Sequence, residues 1–160
     1  MPHQGFNHMP PTSEEKANIR EFGARLEGID YIDRPGVYAV IENDHEQIAV
    51  IETNNNYFLP GGGVESGETD MEALRREILE EIGYQVLAAA QIGETIEYIE
   101  AYTDGKYYRV LGRFYRVQIG AKIGQGVEKD HRLVWLRQKD ALKLLLRKSQ
   151  VWAVHSMSKT

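Results

Sequence analysis

Apolar and polar positions alternate in different ways along the chain, and each pattern predicts a different element. Residues 36–41, Gly-Val-Tyr-Ala-Val-Ile, form a β-branched and aromatic run that reads as a buried strand. Residues 22–33 before it alternate only loosely. Asn43-Asp44 predicts a turn, with 47–53 as the hairpin partner, and the asparagines 54–56 predict a second turn. Tyr57-Phe58-Leu59 then leads into Pro60-Gly61-Gly62-Gly63. Over 70–82 the period lengthens to that of a helix, with Met71, Leu74, Ile78 and Ile82 on one stripe. Thr69 is placed to cap that helix, Glu72 to complete a capping box, and Gly83 to end it in a left-handed conformation. Residues 85–118 are strand-like in two long arms about a turn at Thr103-Asp104-Gly105. A further strand is expected over 132–136, and leucines 142, 145 and 146 predict an amphipathic closing helix over 139–146.

This order of mixed strands, one helix, a long hairpin, a strand and a last helix predicts an α+β fold. No internal repeat or linker divides the chain, so 18–156 reads as one domain. Residues 1–17 read as a flexible leader and 157–160 as a tail. The first sixteen residues hold three of the five prolines and two histidines and no apolar segment of the kind a signal peptide needs.

Composition narrows the class. A length of 160 residues suits one domain with a real core, and 42% hydrophobic with 27% charged residues is ordinary for a globular protein. No apolar run approaches the roughly 20 residues of a membrane-spanning helix, and no membrane partner is expected. The absence of cysteine removes disulfides, thiolate metal sites and cysteine nucleophiles, and suits a reducing cytoplasm. Net charge is −5, with 19 basic against 24 acidic residues, so binding to polymeric nucleic acid is not expected. The basic residues concentrate only near the C-terminus, at Arg137, Lys139, Lys143, Arg147 and Lys148. Such a surplus of carboxylates would repel a phosphate-bearing ligand unless cations intervene.

The helix over 70–82 carries a second stripe. Glu77, Glu80 and Glu81 are spaced by three and four, which sets the carboxylates side by side on successive turns. Four residues rise only about 6 Å, so all three can reach one point. The arrangement is locally unfavourable. Like charges at this spacing repel by a few tenths of a kcal/mol, and glutamates in a last turn face the negative end of the helix dipole. A divalent cation would remove both penalties, because Mg²⁺ prefers carboxylate and carbonyl oxygens. Taken alone, the stripe reads more readily as solvated surface, and the glycine-rich loop as an ordinary turn. Nor is that loop a Walker loop, since Glu68-Thr69 stands where Lys-Ser/Thr is needed.

Together the loop and helix resemble the Nudix box, Gly-x5-Glu-x7-Arg-Glu-U-x-Glu-Glu-x-Gly-U, with U a bulky apolar residue. Gly62 begins it, Glu68 follows, and Arg76-Glu77-Ile78-Leu79-Glu80-Glu81-Ile82-Gly83-Tyr84 completes it. Tyr84 is aromatic where an aliphatic residue is commoner. The box covers 23 residues, and the flanking pattern extends the resemblance from about Phe22 to Val154. The resemblance implies a Nudix fold, an α/β/α sandwich around a mixed β-sheet, in a MutT-like protein.

It also implies a chemistry: Mg²⁺-dependent hydrolysis of the diphosphate linkage in a nucleoside triphosphate or a nucleoside diphosphate derivative, with Mn²⁺ as a substitute ion. Carried over by position, Glu80 and Glu81 are the principal metal ligands. Glu77 is a further ligand or the group that orients and deprotonates water, and the Gly61 carbonyl is an extra ligand. Arg76 and Glu68 support the site. Parts of the family place a base in the loop before the final strand, which makes Glu128 a candidate ligand or base. Asp130 reads as surface and His131 as structural. Tyr38, Tyr57, Tyr107 and Tyr108 are candidate base-stacking platforms that read equally as sheet or core residues. The partner is a small nucleotide, and the family's habit of pairing allows a homodimer. Two other functions stay open: a Nudix-fold nucleotide-binding or regulatory module without catalysis, and an RNA 5′ pyrophosphohydrolase.

Overall fold

The computed structural model describes residues 19–101, 103–126 and 130–157. The leader expected over 1–17 and the last residues of the tail lie outside them. The strands are β1 (Arg20–Phe22), β2 (Ile32–Val40), β3 (Gln47–Thr53), β4 (Asn56–Phe58), β5 (Gly61–Gly63), β6 (Tyr84–Glu100), β7 (Tyr107–Lys122) and β8 (Arg132–Arg137). The helices are α1 (Asp70–Ile82), α2 (Gln138–Leu144) and α3 (Lys148–Ser156). The fold is α+β, with helices on both faces of mixed β structure.

Five strands form one sheet in the order β1-β6-β7-β2-β5, and three form another in the order β4-β3-β8. β1 runs parallel to β6 and β2 parallel to β7, while the other pairs are antiparallel. From Gly36 onward β2 is buried on both sides, as is the middle of β3, which accounts for their unbroken apolar runs. Val37, Ala39, Ala49 and Ile51 pack with Leu74, Ile78 and Ile82 of α1. Val40, Ile48 and Val50 instead pack with Ala141 of α2 and Ala153 and Val154 of α3.

Three expectations need correction. β3 is not the hairpin partner of β2. Both edges of β2 are taken, by β7 and β5, so β3 meets that strand's continuation in no ladder, but at a bridge between Glu42 and Ile48 and through bonds from Ala49 N–H to the Ile41 carbonyl and from Asn43 N–H to the Gln47 carbonyl. Beyond that point the two sheets diverge. Second, the turn expected over three asparagines uses two: Asn54 and Asn55 have φ of 49° and 61°, and Asn56 already belongs to β4. Two successive left-handed residues make the tight hairpin turn whose twist suits β-strands.

The third correction concerns the closing helix expected over 139–146: it stops at Leu144, and a second helix that was not expected, α3, follows it. Leu146 N–H is drawn to the Tyr57 carbonyl at the edge of β4, and this breaks the helix after Leu144. α3 then begins without a local side-chain cap. Its exposed N–H groups are met from far away in sequence: the buried Glu97 of β6 accepts from Ser149 N–H at 3.1 Å, Ser149 Oγ at 2.5 Å and Lys148 N–H at 3.3 Å.

The helix α1 forms much as its sequence predicts. Thr69 Oγ1 accepts from Glu72 N–H at 3.2 Å, although the Glu72 carboxylate does not return the bond, so the capping box is half formed. Gly83 ends α1 with φ 76°, donating to the carbonyls of Ile78 and Leu79. A Cβ there would stand 2.2 Å from the Gly124 carbonyl oxygen, so close approach as well as φ demands glycine.

Candidate active site

The glycines before α1 form β5, which pairs with β2 so that Tyr38 faces Gly61 and Val37 faces Gly62. Ala39 N–H bonds the Pro60 carbonyl and Val64 N–H the Pro35 carbonyl, on the side facing β2. Gly61 falls between those contacts, and in a strand its N–H and C=O point to the opposite edge. The N–H duly reaches Glu81 Oε1 at 2.7 Å. Its carbonyl shares that edge. Two close approaches explain why these positions carry no side chain. Gly61 has φ 145°, and a Cβ there would meet the Val37 carbonyl oxygen at 2.1 Å. A Cβ on Gly62 would stand 2.6 Å from Glu77 Oε1, so the loop is a cradle for that carboxylate.

Arg76 ties the loop to the helix. It holds Glu68 through two bonds of 2.8 Å, donates to Glu77 Oε1 at 2.9 Å and to the Gly63 carbonyl at 2.9 Å, and lies 3.5 Å from Glu80 Oε2. The guanidinium fork suits this work, since it offers donors in several directions in one plane. Its partners push the Arg76 pKa above its ordinary value. The Arg76 bond, followed by the Glu65 N–H, lowers the Glu68 carboxyl from 4.5 to about 2. A depressed carboxylate pKa stabilises the fold above the unfolded value and loses that stabilisation as pH falls toward the folded value. Wild type and Glu68→Gln should therefore differ in stability at neutral pH, with the gap narrowing between about pH 4.5 and 2. Chemical denaturation across that range measures it, and a gap unchanged through the window would contradict the assignment.

The carboxylates differ in setting. Glu77 and Glu81 are largely covered, with side chains 12% and 6% exposed, whereas Glu80 is 40% exposed. Glu81 Oε2 also lies 3.5 Å from His131 Nδ1. Among the described residues, no three acidic or imidazole side chains already stand together as a metal-binding set. Glu77 and Glu81 instead hold protein donors. The donor chemistry still fits a hard divalent cation: three carboxylates on adjacent turns, a strand-edge carbonyl at Gly61, and a loop without side chains to block approach. Rotation about side-chain torsions would be needed to gather them.

Glu81 and Gly61 lie at one side of a cleft of about 340 Å³ in the opening between the two sheets. Arg34, Tyr38, Glu97 and Val110 come from the larger sheet, and Ile51, Thr53 and Phe58 from the smaller. His131 and the start of α3, with Arg147, Ser149 and Gln150, close it. Gln150 Oε1 accepts from Leu59 N–H at 2.7 Å, which joins α3 to the segment leading into the loop.

Of the candidate tyrosines, Tyr38 lines the cleft and stacks on Phe114 with ring centres 5.4 Å apart. Tyr57 packs in the core beneath α2 and α3, Tyr107 packs edge-on to Tyr31, and Tyr108 lies under Arg34. Asp130 is exposed. His131, expected as structural, stands beside Glu81 at the cleft wall. Glu128 lies outside the described residues. Sequence reasoning missed Arg34, Phe58, Glu97, Arg147 and Gln150. Only Arg34 left a usable signal there, since Arg34, Gly36 and Tyr38 alternate onto one face of a strand.

A family model described as the NUDIX domain matches residues 33–154. The chain belongs to the NUDIX family. A putative 8-oxo-dGTP diphosphatase of Bacillus subtilis (strain 168) is 40% identical over 60 residues, 36% of this chain and 40% of the relative. An RNA pyrophosphohydrolase of Halorhodospira halophila (strain DSM 244 / SL1) is 33% identical over 94 residues, 58% of this chain and 48% of the relative. The chain thus spans less than half the length of these curated relatives. A solved structure of MutT protein from Methanosarcina mazei Go1 matches with a TM-score of 0.64 at 18% identity, covering 83% of this chain and 100% of that one. That likeness shows the fold, which places the NUDIX loop and helix beside the cleft. Among the described residues, no helix is long and apolar enough to cross a membrane.

Proposed function

We propose that this protein is a Mg²⁺-dependent pyrophosphohydrolase that cleaves the diphosphate linkage of a nucleoside triphosphate or nucleoside diphosphate derivative. The observation that carries this reading is the Gly61–Glu81 bond, which joins loop and helix at the mouth of the cleft. Glu80 and Glu81, with Glu77 and the Gly61 carbonyl, are the residues that would hold the ion. Mg²⁺ bound there would neutralise charge on the diphosphate and lower the pKa of an attacking water. Arg76 and Glu68 keep the carboxylates in place, and Glu77, cradled against Gly62, is set to orient the water or take its proton. Glu128, in the loop before β8, is the alternative base. The domain doing this work is 18–156, acting on a small nucleotide in the cytoplasm, with a homodimer as the candidate assembly.

The relative named for RNA pyrophosphohydrolysis supports a second reading, in which the diphosphate lies at the 5′ end of an RNA. The acidic balance opposes it, since polymer binding is driven by phosphate contacts to basic residues. A panel of triphosphates, oxidised triphosphates, ADP-ribose, dinucleoside polyphosphates, sugar nucleotides and 5′-triphosphorylated RNA decides, assayed by phosphate release with Mg²⁺ or EDTA and a coupling phosphatase. Metal-dependent turnover of a free nucleotide is the expected result. Turnover of the RNA alone would establish the second reading, and binding without turnover of any member would make the protein a binding module.

A further inference from the structure

The cleft contains two arginines that the NUDIX box does not account for. Four guanidiniums pair with carboxylates: Arg76 with Glu68 and Glu77, Arg109 with Asp33, Arg113 with Asp70, and Arg132 with Glu52. Arg34 and Arg147 line the cleft, and among the described residues neither has a carboxylate within ion-pair distance. Each is held over an aromatic ring instead. The Arg34 guanidinium carbon lies 5.4 Å from the centre of the Tyr108 ring, and that of Arg147 lies 5.9 Å from the centre of Phe58. Stacking of this kind fixes a guanidinium plane while leaving its N–H groups at the rim for another partner.

A third donor faces the same space. Gly36 has no side chain, and the Tyr38 hydroxyl lies over it, 2.7 Å from where a Cβ would stand. The phenol is thereby turned back along β2 toward Arg34, two residues beyond Gly36 on the same face. Burial raises the Tyr38 pKa, Arg34 and Arg147 pull it down, and Glu77 and Glu97 push it up again, so both cations and two carboxylates bear on the hydroxyl, which stays a proton donor at neutral pH. At the near end, Arg34 Nε lies 3.9 Å from the position of a Cβ on Gly63, beside the loop that leads to α1. Unpaired cations in a protein of net charge −5 are costly to expose to their own kind and cheap to offer to an anion.

We infer that Arg34, Arg147 and the Tyr38 hydroxyl form an anion subsite that grips the phosphate chain of an organic di- or triphosphate independently of any metal ion. This deepens the proposed function, on which it rests for the identity of the anion as part of the substrate. The cleft then has two complementary holds on one polyphosphate: carboxylates that act through a cation, and guanidiniums that act directly. A substrate with more charge along its chain gains more from the second hold, so triphosphates should bind more tightly than diphosphates joined to a neutral sugar.

The test uses the full chain and inorganic pyrophosphate as probe, titrated calorimetrically in EDTA. Wild type should bind, and Arg34→Gln and Arg147→Gln should each weaken binding by about tenfold or more, the loss of one charge-assisted hydrogen bond. Gly36→Ala, which retains both arginines but displaces the Tyr38 hydroxyl, should also weaken it. Arg116→Gln, an exposed arginine outside the cleft, should bind as wild type. Melting curves for each variant separate lost binding from lost folding. Absence of pyrophosphate binding by the wild type in EDTA, or wild-type affinity in either Arg34→Gln or Arg147→Gln, would overturn the inference. Hydrolysis does not enter this measurement. A protein that shows the pattern but turns over no nucleotide keeps the subsite and loses the proposed function, and the opposite pair of results does the reverse.

Discussion

Glu81→Gln is expected to lower kcat for the nucleotide substrate by on the order of 10²–10³-fold, while the protein stays folded and still binds nucleotide. The reason is the double duty of this side chain. Its Oε1 accepts the Gly61 N–H at 2.7 Å, and an amide oxygen can accept the same bond, so the loop should keep its place on α1. The negative charge, however, is gone, and with it a strong hold on a divalent cation at the cleft mouth. The loss should appear in kcat at saturating substrate, with metal-free nucleotide affinity almost unchanged. Raising Mg²⁺ should recover only part of the rate. The checks are steady-state kinetics over a range of Mg²⁺ and calorimetric binding in EDTA. A variant retaining more than about a tenth of wild-type kcat would remove Glu81 from the centre of the mechanism.

Arg76→Ala should be the most destabilising single change at the site, by about 2 kcal/mol, since several charge-assisted bonds are lost but solvent screens part of the network. Arg76 is only 23% exposed and answers both oxygens of Glu68, one of Glu77 and the Gly63 carbonyl at once. Truncation leaves those acceptors crowded against Glu80 with no positive charge among them, which is worse than removing the whole cluster. Lys is not an adequate replacement, because one ammonium cannot reach Glu68 and Gly63 in the directions the fork does. Mg²⁺ should therefore raise the stability of Arg76→Ala more than that of the wild type, since the ion takes over part of the neutralisation. Urea denaturation with and without Mg²⁺ measures both effects. Equal stability of Arg76→Lys and wild type would show that charge alone, and not the directed bonds, is what the site uses.

These two residues also show how unevenly the site could be read from sequence. Arg76, Glu77, Glu80 and Glu81 lie on one helix of thirteen residues, so helical periodicity alone places them together. Gly83, needing a left-handed φ, and Thr69, capping the first turn, are local in the same sense. What periodicity could not tell is that Arg76 Nη2 reaches back to Gly63, or that Gly62 is a glycine because Glu77 leans on it. The cleft was less visible still. Glu97 appears in the sequence as one polar position in a long strand, yet it caps a helix through Ser149, 52 residues later. Arg147 lay just past a helix expected to end at Leu146, because nothing local signals that Leu146 N–H will be claimed by Tyr57.

The chain by itself thus determined its α+β class, the extent of α1, the turn of the long hairpin and the acidic stripe with its supporting arginine. All of these depend on contacts within a few residues or on the period of a single element. Only the tertiary structure decided that β2 is flanked by β7 and β5 and so sends β3 into a second sheet, that the opening between those sheets is the cleft, and that Arg34 and Arg147 face into it. Those outcomes depend on which strand edges are already occupied and which distant groups satisfy a helix end, and backbone hydrogen bonding of that kind carries no period in the sequence.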